Sequence, residues 1–353
     1  MRDKEAAMKT RNSKNVKGSL SLLCVSVFLA VSALLFPALA AGADLTVYAY
    51  DSFVSEWGPA GKVIPKFEKL HGVKVDMISV GDAGQVLNRA ILEKNRPRAD
   101  ILLGIDNNLL AKAIDAGVLL PYRSPNLRLI PEELRFDPTH HVTPFDHGYF
   151  AIVYDSRRLD DPPQSMEDLL RPEYRDKIIL EDPRTSSPGL GFLLWTVAVY
   201  GDNYREYWER LRPNILTVTE GWDTAYGLFT SGEAPMVLSY TTSPPYHVEY
   251  EETTRYRAAI FREGNYLQIE GMGILRGTKN LDLARKFIDF ILTEDFQEEI
   301  PLTNWMLPVN PAVKLPDSFD YAPNPVKILS LPSSRIEANQ EAWIEGWLEV
   351  MTR

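Results

Sequence analysis

The chain has 353 residues, with 48 Asp and Glu against 38 Lys and Arg, and its formal net charge of −10 argues against a nucleic-acid partner. A single cysteine, Cys24, excludes an internal disulfide. Hydrophobic residues make up 45%, enough for an ordinary core in a chain long enough to hold two lobes.

Taken in order, the chain opens with a basic segment. Arg2, Lys4, Lys9, Arg11, Lys14 and Lys17 stand against Asp3 and Glu5, then Ser19 to Phe36 is uncharged and mostly apolar, and Ala38-Leu39-Ala40 offers a small-residue cleavage site. This is the pattern of a secretory signal peptide over residues 1–40, with an uncleaved anchor as the alternative and Ala43 as a second cleavage point. Cleavage after Ala40 leaves 313 residues with a formal charge of −14 and no thiol, since Cys24 lies in the leader. The expected location is the periplasm.

The remaining chain alternates strand and helix patterns. Residues 45–50, 74–80, 99–105, 177–182, 215–220 and 234–240 are apolar and β-branched runs. Between them lie helical patterns such as VIPKFEKL, GQVLNRAILEKN and NNLLAKAIDAG. Such alternation predicts α/β architecture with mostly parallel sheets and helices on both faces.

The residues that follow these strands have the character of ligand contacts. Asp51, Ser52 and Trp57 follow the first, Gly81-Asp82-Ala83-Gly84 the second and Asp106-Asn107-Asn108 the third. In the second half come Asp182 to Ser187, Gly221-Trp222-Asp223 and Tyr240-Thr241-Thr242-Ser243. Ligands of open parallel sheets bind just beyond the carboxyl ends of strands. Two lobes facing each other across a cleft is therefore the economical arrangement. Extended runs at 142–155 and 266–277 read as the crossings between lobes, which makes lobe 1 discontinuous (41–145 and 270–353) around lobe 2 (146–269).

The turn DPRTSSPGLGFLLW, residues 182–195, has two readings: an ordinary helix N-cap, or hydroxyl and N–H donors gathered to hold an anion. Catalytic motifs are missing: there is no G-x-S-x-G, no H-E-x-x-H and no Gly-rich phosphate loop. His140 and His141 are adjacent and share no face, His147 falls on a crossing, and His71 and His247 read as surface or loop residues, so no metal site is expected. Trp57, Trp222 and Trp305 fall beside polar turns, together with Tyr50, Tyr240 and Tyr246, whereas Trp195, Trp343 and Trp347 sit on helices and read as core. Aromatics at a cleft stack on a flat ring and attract a cation to the ring face.

The blocks TVYAYDSFVSEWGP, ADILLGIDNNLL, PFDHGYFAIVYD, PPQSMEDLL, DPRTSSPGLGFLLW, GWDTAYGLF, LSYTTSPPYH and NWMLPV together resemble the thiamine-binding periplasmic proteins that feed ABC transporters. That resemblance implies a two-lobed periplasmic-binding-protein fold, type II-like. It implies a monomeric carrier that holds thiamine, thiamine monophosphate or thiamine diphosphate between its lobes, delivers it unchanged to a membrane permease, and needs no cofactor. The phosphate side then falls on Asp82, Ala83, Ser186, Ser187, Trp222, Tyr240, Thr241, Thr242 and Ser243, and the ring side on Tyr50, Trp57, Tyr246 and Trp305. Ala83 departs from the glycine expected after the aspartate, which leaves the preferred form open. Two rivals remain. A ferric-ion carrier of related fold wants adjacent tyrosines, and the chain has no Tyr-Tyr pair; a thiamine-degrading transferase needs a cysteine nucleophile, and the exported chain has none.

Overall fold

Eight strands carry the architecture: β1 (Leu45–Ala49), β2 (Val75–Ser79), β3 (Ile101–Asp106), β4 (Thr143–Asp155), β5 (Ile178–Glu181), β6 (Ile215–Thr219), β7 (Met236–Tyr240) and β8 (Asn265–Leu275). They are seen in a computed structural model that describes residues 42–353, so the leader, Cys24 and Ala40 lie outside the described residues. The path across the sheet is β2-β1-β3-β8-β4-β7-β5-β6. Its two ends mirror each other: β1 pairs parallel with β2 and β3, and β5 pairs parallel with β6 and β7. Between these parallel triplets run the long strands β4 and β8, antiparallel to each other and to their outer neighbours. The segments read as crossings are therefore the central strands themselves.

Strand β3 is buried along its whole length, as expected of a strand covered on both faces. The helix Ser187–Tyr200 is apolar all round, and its first eleven residues are buried, because it lies between the sheet and an outer helix, Tyr204–Leu211. Trp195 and Trp208 are among the largest fully buried side chains, and the Trp195 indole N–H donates to the Gly264 carbonyl at 3.0 Å. Residues 43–353 pack as one compact unit.

The last helix, Ser333–Met351, touches both triplets' outer helices, Leu110–Asp115 and Tyr204–Leu211. Trp347 packs edge-on to Trp208 with ring centroids 6.0 Å apart, and Arg212 donates to the Val350 carbonyl at 3.0 Å. Trp343 and Trp347 are core residues, as their helical spacing predicts. His247 corrects the sequence reading: it is wholly buried on the helix Pro244–Glu251, hydrogen-bonded to the Tyr226 hydroxyl and to Glu251, because that helix turns its 247 face onto Tyr256 and Tyr226. Among the described residues no helix is long and apolar enough to cross a membrane.

Candidate functional site

The carboxyl ends of both triplets converge on one cleft. Tyr50 follows β1, and its ring lies against Gly104 of β3, where an added Cβ would come within 2.6 Å of the ring; Gly104 also has φ +99°, a conformation that favours glycine. Asp82 follows β2 and caps the helix Ala83–Leu92, with Gln85 completing a capping box. Its carboxylate also accepts from the Trp222 backbone N–H at 3.2 Å, across the cleft. A second cross-cleft bond joins Gln85 to Glu220 at 2.6 Å, and Gly84 packs so closely on the Thr185 carbonyl that a Cβ there would lie 2.6 Å from it.

From the second triplet, Ser186 caps the helix that Ser187 opens, with its hydroxyl accepting from the Gly189 N–H at 3.4 Å. The arginine of that turn, Arg184, is tied back to Asp182 at 2.9 Å. The Ser187 hydroxyl accepts from the Gln268 amide at 3.2 Å. Trp222 is the first residue of the helix Trp222–Thr230 rather than a loop residue, with its indole N–H on the Ser239 hydroxyl at 2.8 Å.

The inner chamber has a volume of ≈ 530 Å³, counting space open to solvent, and is lined by Tyr50, Trp57, Asp82, Ser187, Trp222, Tyr240, Ser243 and Trp305 among the residues read from sequence. It continues outward past Trp57, Trp222, Tyr246 and Trp305. Trp57 and Trp222 face each other with centroids 6.4 Å apart, and Trp305 meets Tyr246 edge-on at 5.2 Å. Trp305 holds a left-handed backbone, φ +56°, uncommon for a bulky side chain and typical of functional positions. Four predicted residues do not line the cleft. Ala83 is buried toward Gly104 with its N–H on the Asp82 carboxylate, Ser186 is buried as a cap, and Thr241 and Thr242 are buried behind Ser243.

Sequence reading missed Glu270, Asn304 and Met306, which complete the chamber. Asn304 adjoins the predicted Trp305, a signal that was available; Glu270 is visible only once β8 is known to run through the middle of the sheet. The Tyr50 hydroxyl donates to Glu270 at 3.0 Å, and Asn304 donates to Asp146 at 2.5 Å. Burial raises the pKa of Glu270 well above the carboxylate range, with the Asp146 charge adding to it, and pushes Asp146 up to about 7. Burial likewise takes Asp106 and Asp223 to about 6.

Among the described residues, the chamber and its two adjoining spaces are lined by six carboxyl residues, Asp51, Asp82, Glu220, Asp223, Glu251 and Glu270, and by no Lys, Arg or His. Aromatic walls around a carboxyl-lined cleft suit a flat ring that carries positive charge. No group of described His, Cys, Asp and Glu side chains has the arrangement of a metal site.

Residues 96–327 match the family of bacterial extracellular solute-binding proteins. The chain is 46% identical to the thiamine-binding periplasmic protein of Brucella melitensis, over 95% of this chain and 99% of that one. It is 41% identical to the thiamine-binding periplasmic protein of Escherichia coli, over 88% and 94%. A solved structure of a periplasmic thiamin binding protein superposes with a TM-score of 0.84 at 40% identity, covering 88% of this chain and 96% of that one. With its two parallel triplets closing on one cleft, the chain belongs to the bacterial extracellular solute-binding proteins, alongside the thiamine-binding periplasmic members of that family.

Proposed function

We propose that the protein captures thiamine, with or without its phosphates, in the periplasm and hands it unchanged to the permease of an ABC importer. The observation that carries this reading is the cleft's lining among the described residues: tryptophans and tyrosines from both triplets, six carboxyl residues and no basic side chain. Thiamine's cationic thiazolium and flat pyrimidine match that lining, and the relatives named above supply the ligand. A phosphate, where present, lies toward Ser187, Ser243 and the start of the helix Trp222–Thr230, which offer hydroxyl and N–H donors. The basic and apolar leader is read as a signal peptide cleaved after Ala40. With the lobes divided at 145/146 and 269/270 as the sequence suggests, the proposed hinge lies where β4 and β8 cross between the triplets.

Calorimetry of the purified protein against thiamine, its monophosphate and its diphosphate tests the reading and reports the preferred form. Heat of binding with at least one is expected. No heat and no thermal shift with any of the three refutes it. Recovery of cleaved pyrimidine after incubation with thiamine and a nucleophilic base would replace the carrier with an enzyme.

A further inference from the structure

The innermost carboxyl of the cleft comes from none of the strand ends that bear the other contacts. Glu270, on β8, stands directly opposite Asp106 of β3 on one side and Asp146 of β4 on the other. Cross-strand partners project from the same face, so three carboxyls form one row through the middle of the sheet. Asp106 is fully engaged: it accepts from the backbone of Asn108 and Leu109 and from the side chains of Asn108 and Gln268.

The other two are not. Asp146 Oδ2 accepts from Asn304, while its buried Oδ1 has no partner. Glu270 Oε2 accepts from the Tyr50 hydroxyl, whose hydrogen is aimed there because Tyr50 itself accepts from the Asn304 amide at 3.0 Å. Glu270 is only 6% exposed and lines the chamber, which has no basic residue among its described lining. Two neighbouring buried carboxyls without a cation do not both ionise. They hold a proton between them; placed on Glu270, it satisfies the orphaned oxygen of Asp146. Glu270 then faces the chamber as an uncharged group with lone pairs to offer.

We propose that Glu270 is a specificity-determining residue that accepts a hydrogen bond from an amino group on the edge of the ligand's flat ring, acting as a neutral acid with its own proton held toward Asp146. This rests on the thiamine reading, since the pyrimidine of thiamine carries such an amino group. Neither Asp82 nor Asp223 fills this role: Asp82 is committed to the Ala83 and Trp222 amides, and Asp223 lines only the outer spaces.

The test is calorimetry with thiamine and with oxythiamine, in which an oxo group replaces the amino group, on the wild-type protein, Glu270→Gln and Glu270→Ala. Wild type is expected to prefer thiamine by roughly tenfold or more, the worth of one buried hydrogen bond. Glu270→Gln presents a carbonyl to Tyr50 and the ligand and an NH2 group to Asp146, so it retains both affinity and preference within about threefold. Glu270→Ala weakens thiamine about tenfold or more while barely changing oxythiamine, so the preference disappears. The proposal is overturned if wild type binds both ligands equally, if Glu270→Ala weakens both alike, or if Glu270→Gln, folded by its melting curve, loses as much as Glu270→Ala. That last outcome would mean that a negative charge serves the site. A wild-type protein that takes up neither ligand overturns the thiamine reading beneath it, a result distinct from binding without discrimination.

Discussion

Replacing Ser187 by alanine separates the phosphate end of the cleft from the ring end. Ser187 lines the chamber, and one lone pair of its hydroxyl is taken by Gln268, whose amide also donates to Asp106 at 2.9 Å. The hydroxyl hydrogen is thus left to donate into the cleft. A hydrogen bond to a charged acceptor contributes roughly 1.5–3 kcal/mol, so its loss weakens thiamine monophosphate and diphosphate by about 10- to 150-fold. Unphosphorylated thiamine is expected to change by less than about threefold, because the proposed place of its rings is against Tyr50, Trp57 and Trp305 instead. Ser186→Ala serves as the contrast: its hydroxyl caps the helix and does not line the chamber, so it lowers stability by about 0.5–2 kcal/mol and changes ligand preference less than Ser187→Ala does. Calorimetry with the three forms and a thermal melt of each variant read both quantities. Equal weakening of thiamine and its phosphates by Ser187→Ala would refute the assignment.

Trp305→Ala is expected to weaken every form alike by about 30-fold, since a desolvated cation–π contact contributes on the order of 2 kcal/mol, with Trp305→Phe retaining most of the affinity; an effect confined to the phosphates would count against it. Ligand binding should reduce the radius of gyration in solution scattering, because contacts such as Asp82 with Trp222 and Gln85 with Glu220 form only when the two sides meet; an unchanged value would indicate a rigid cleft. Melting temperature should rise as pH falls from about 7.5 to about 5. Burial raises Asp106, Asp223, Asp146 and Glu270 above the pKa of about 4 they have in an unfolded chain, so the folded state binds protons more tightly, and this stabilisation is lost as pH rises through about 6 to 7. Burial of His147, pushed down to about 4, and of His247 opposes the trend below about pH 6.5, but the displaced carboxyls outnumber them. A steady fall in melting temperature over that range would refute the sign.

Much of the fold was legible because its strands are short apolar runs bounded by polar turns. The expected runs 177–182 and 215–220 differ from β5 and β6 by a residue at either end at most. The half-cleft formed by Trp57, Asp82, Trp222 and Ser243 was legible for a similar reason: each follows a strand, and a parallel sheet gathers strand ends at one edge. Residues inside strands gave no such cue. Asp146 and Glu270 sit mid-strand, where a carboxyl reads as the solvent face of a sheet, and only the antiparallel pairing of β4 with β8 sets them opposite each other, with Glu270 lining the chamber and Asp146 buried beside it. Ala83 and Thr242 show the converse: their neighbours line the cleft, while they themselves are buried in the wall.

The helix Ser333–Met351 is placed to limit the opening expected of the cleft. It is anchored more heavily on one side, through Trp347 on Trp208, Arg212 on the Val350 carbonyl and the Tyr204 hydroxyl on the Trp343 carbonyl at 3.3 Å. Against Leu110–Asp115 it has apolar packing and the attraction between Glu341 and Lys112. Although it follows the 269/270 boundary in sequence, its polar anchors would hold it to the second triplet if the mouth widened, and the seam against Leu110–Asp115 would then take up the movement. Like a check strap on a door, it would set how far the mouth swings, and none of its residues lines the cleft. Substitutions along that seam would alter how quickly cargo is released to the membrane while leaving the walls that recognise it unchanged.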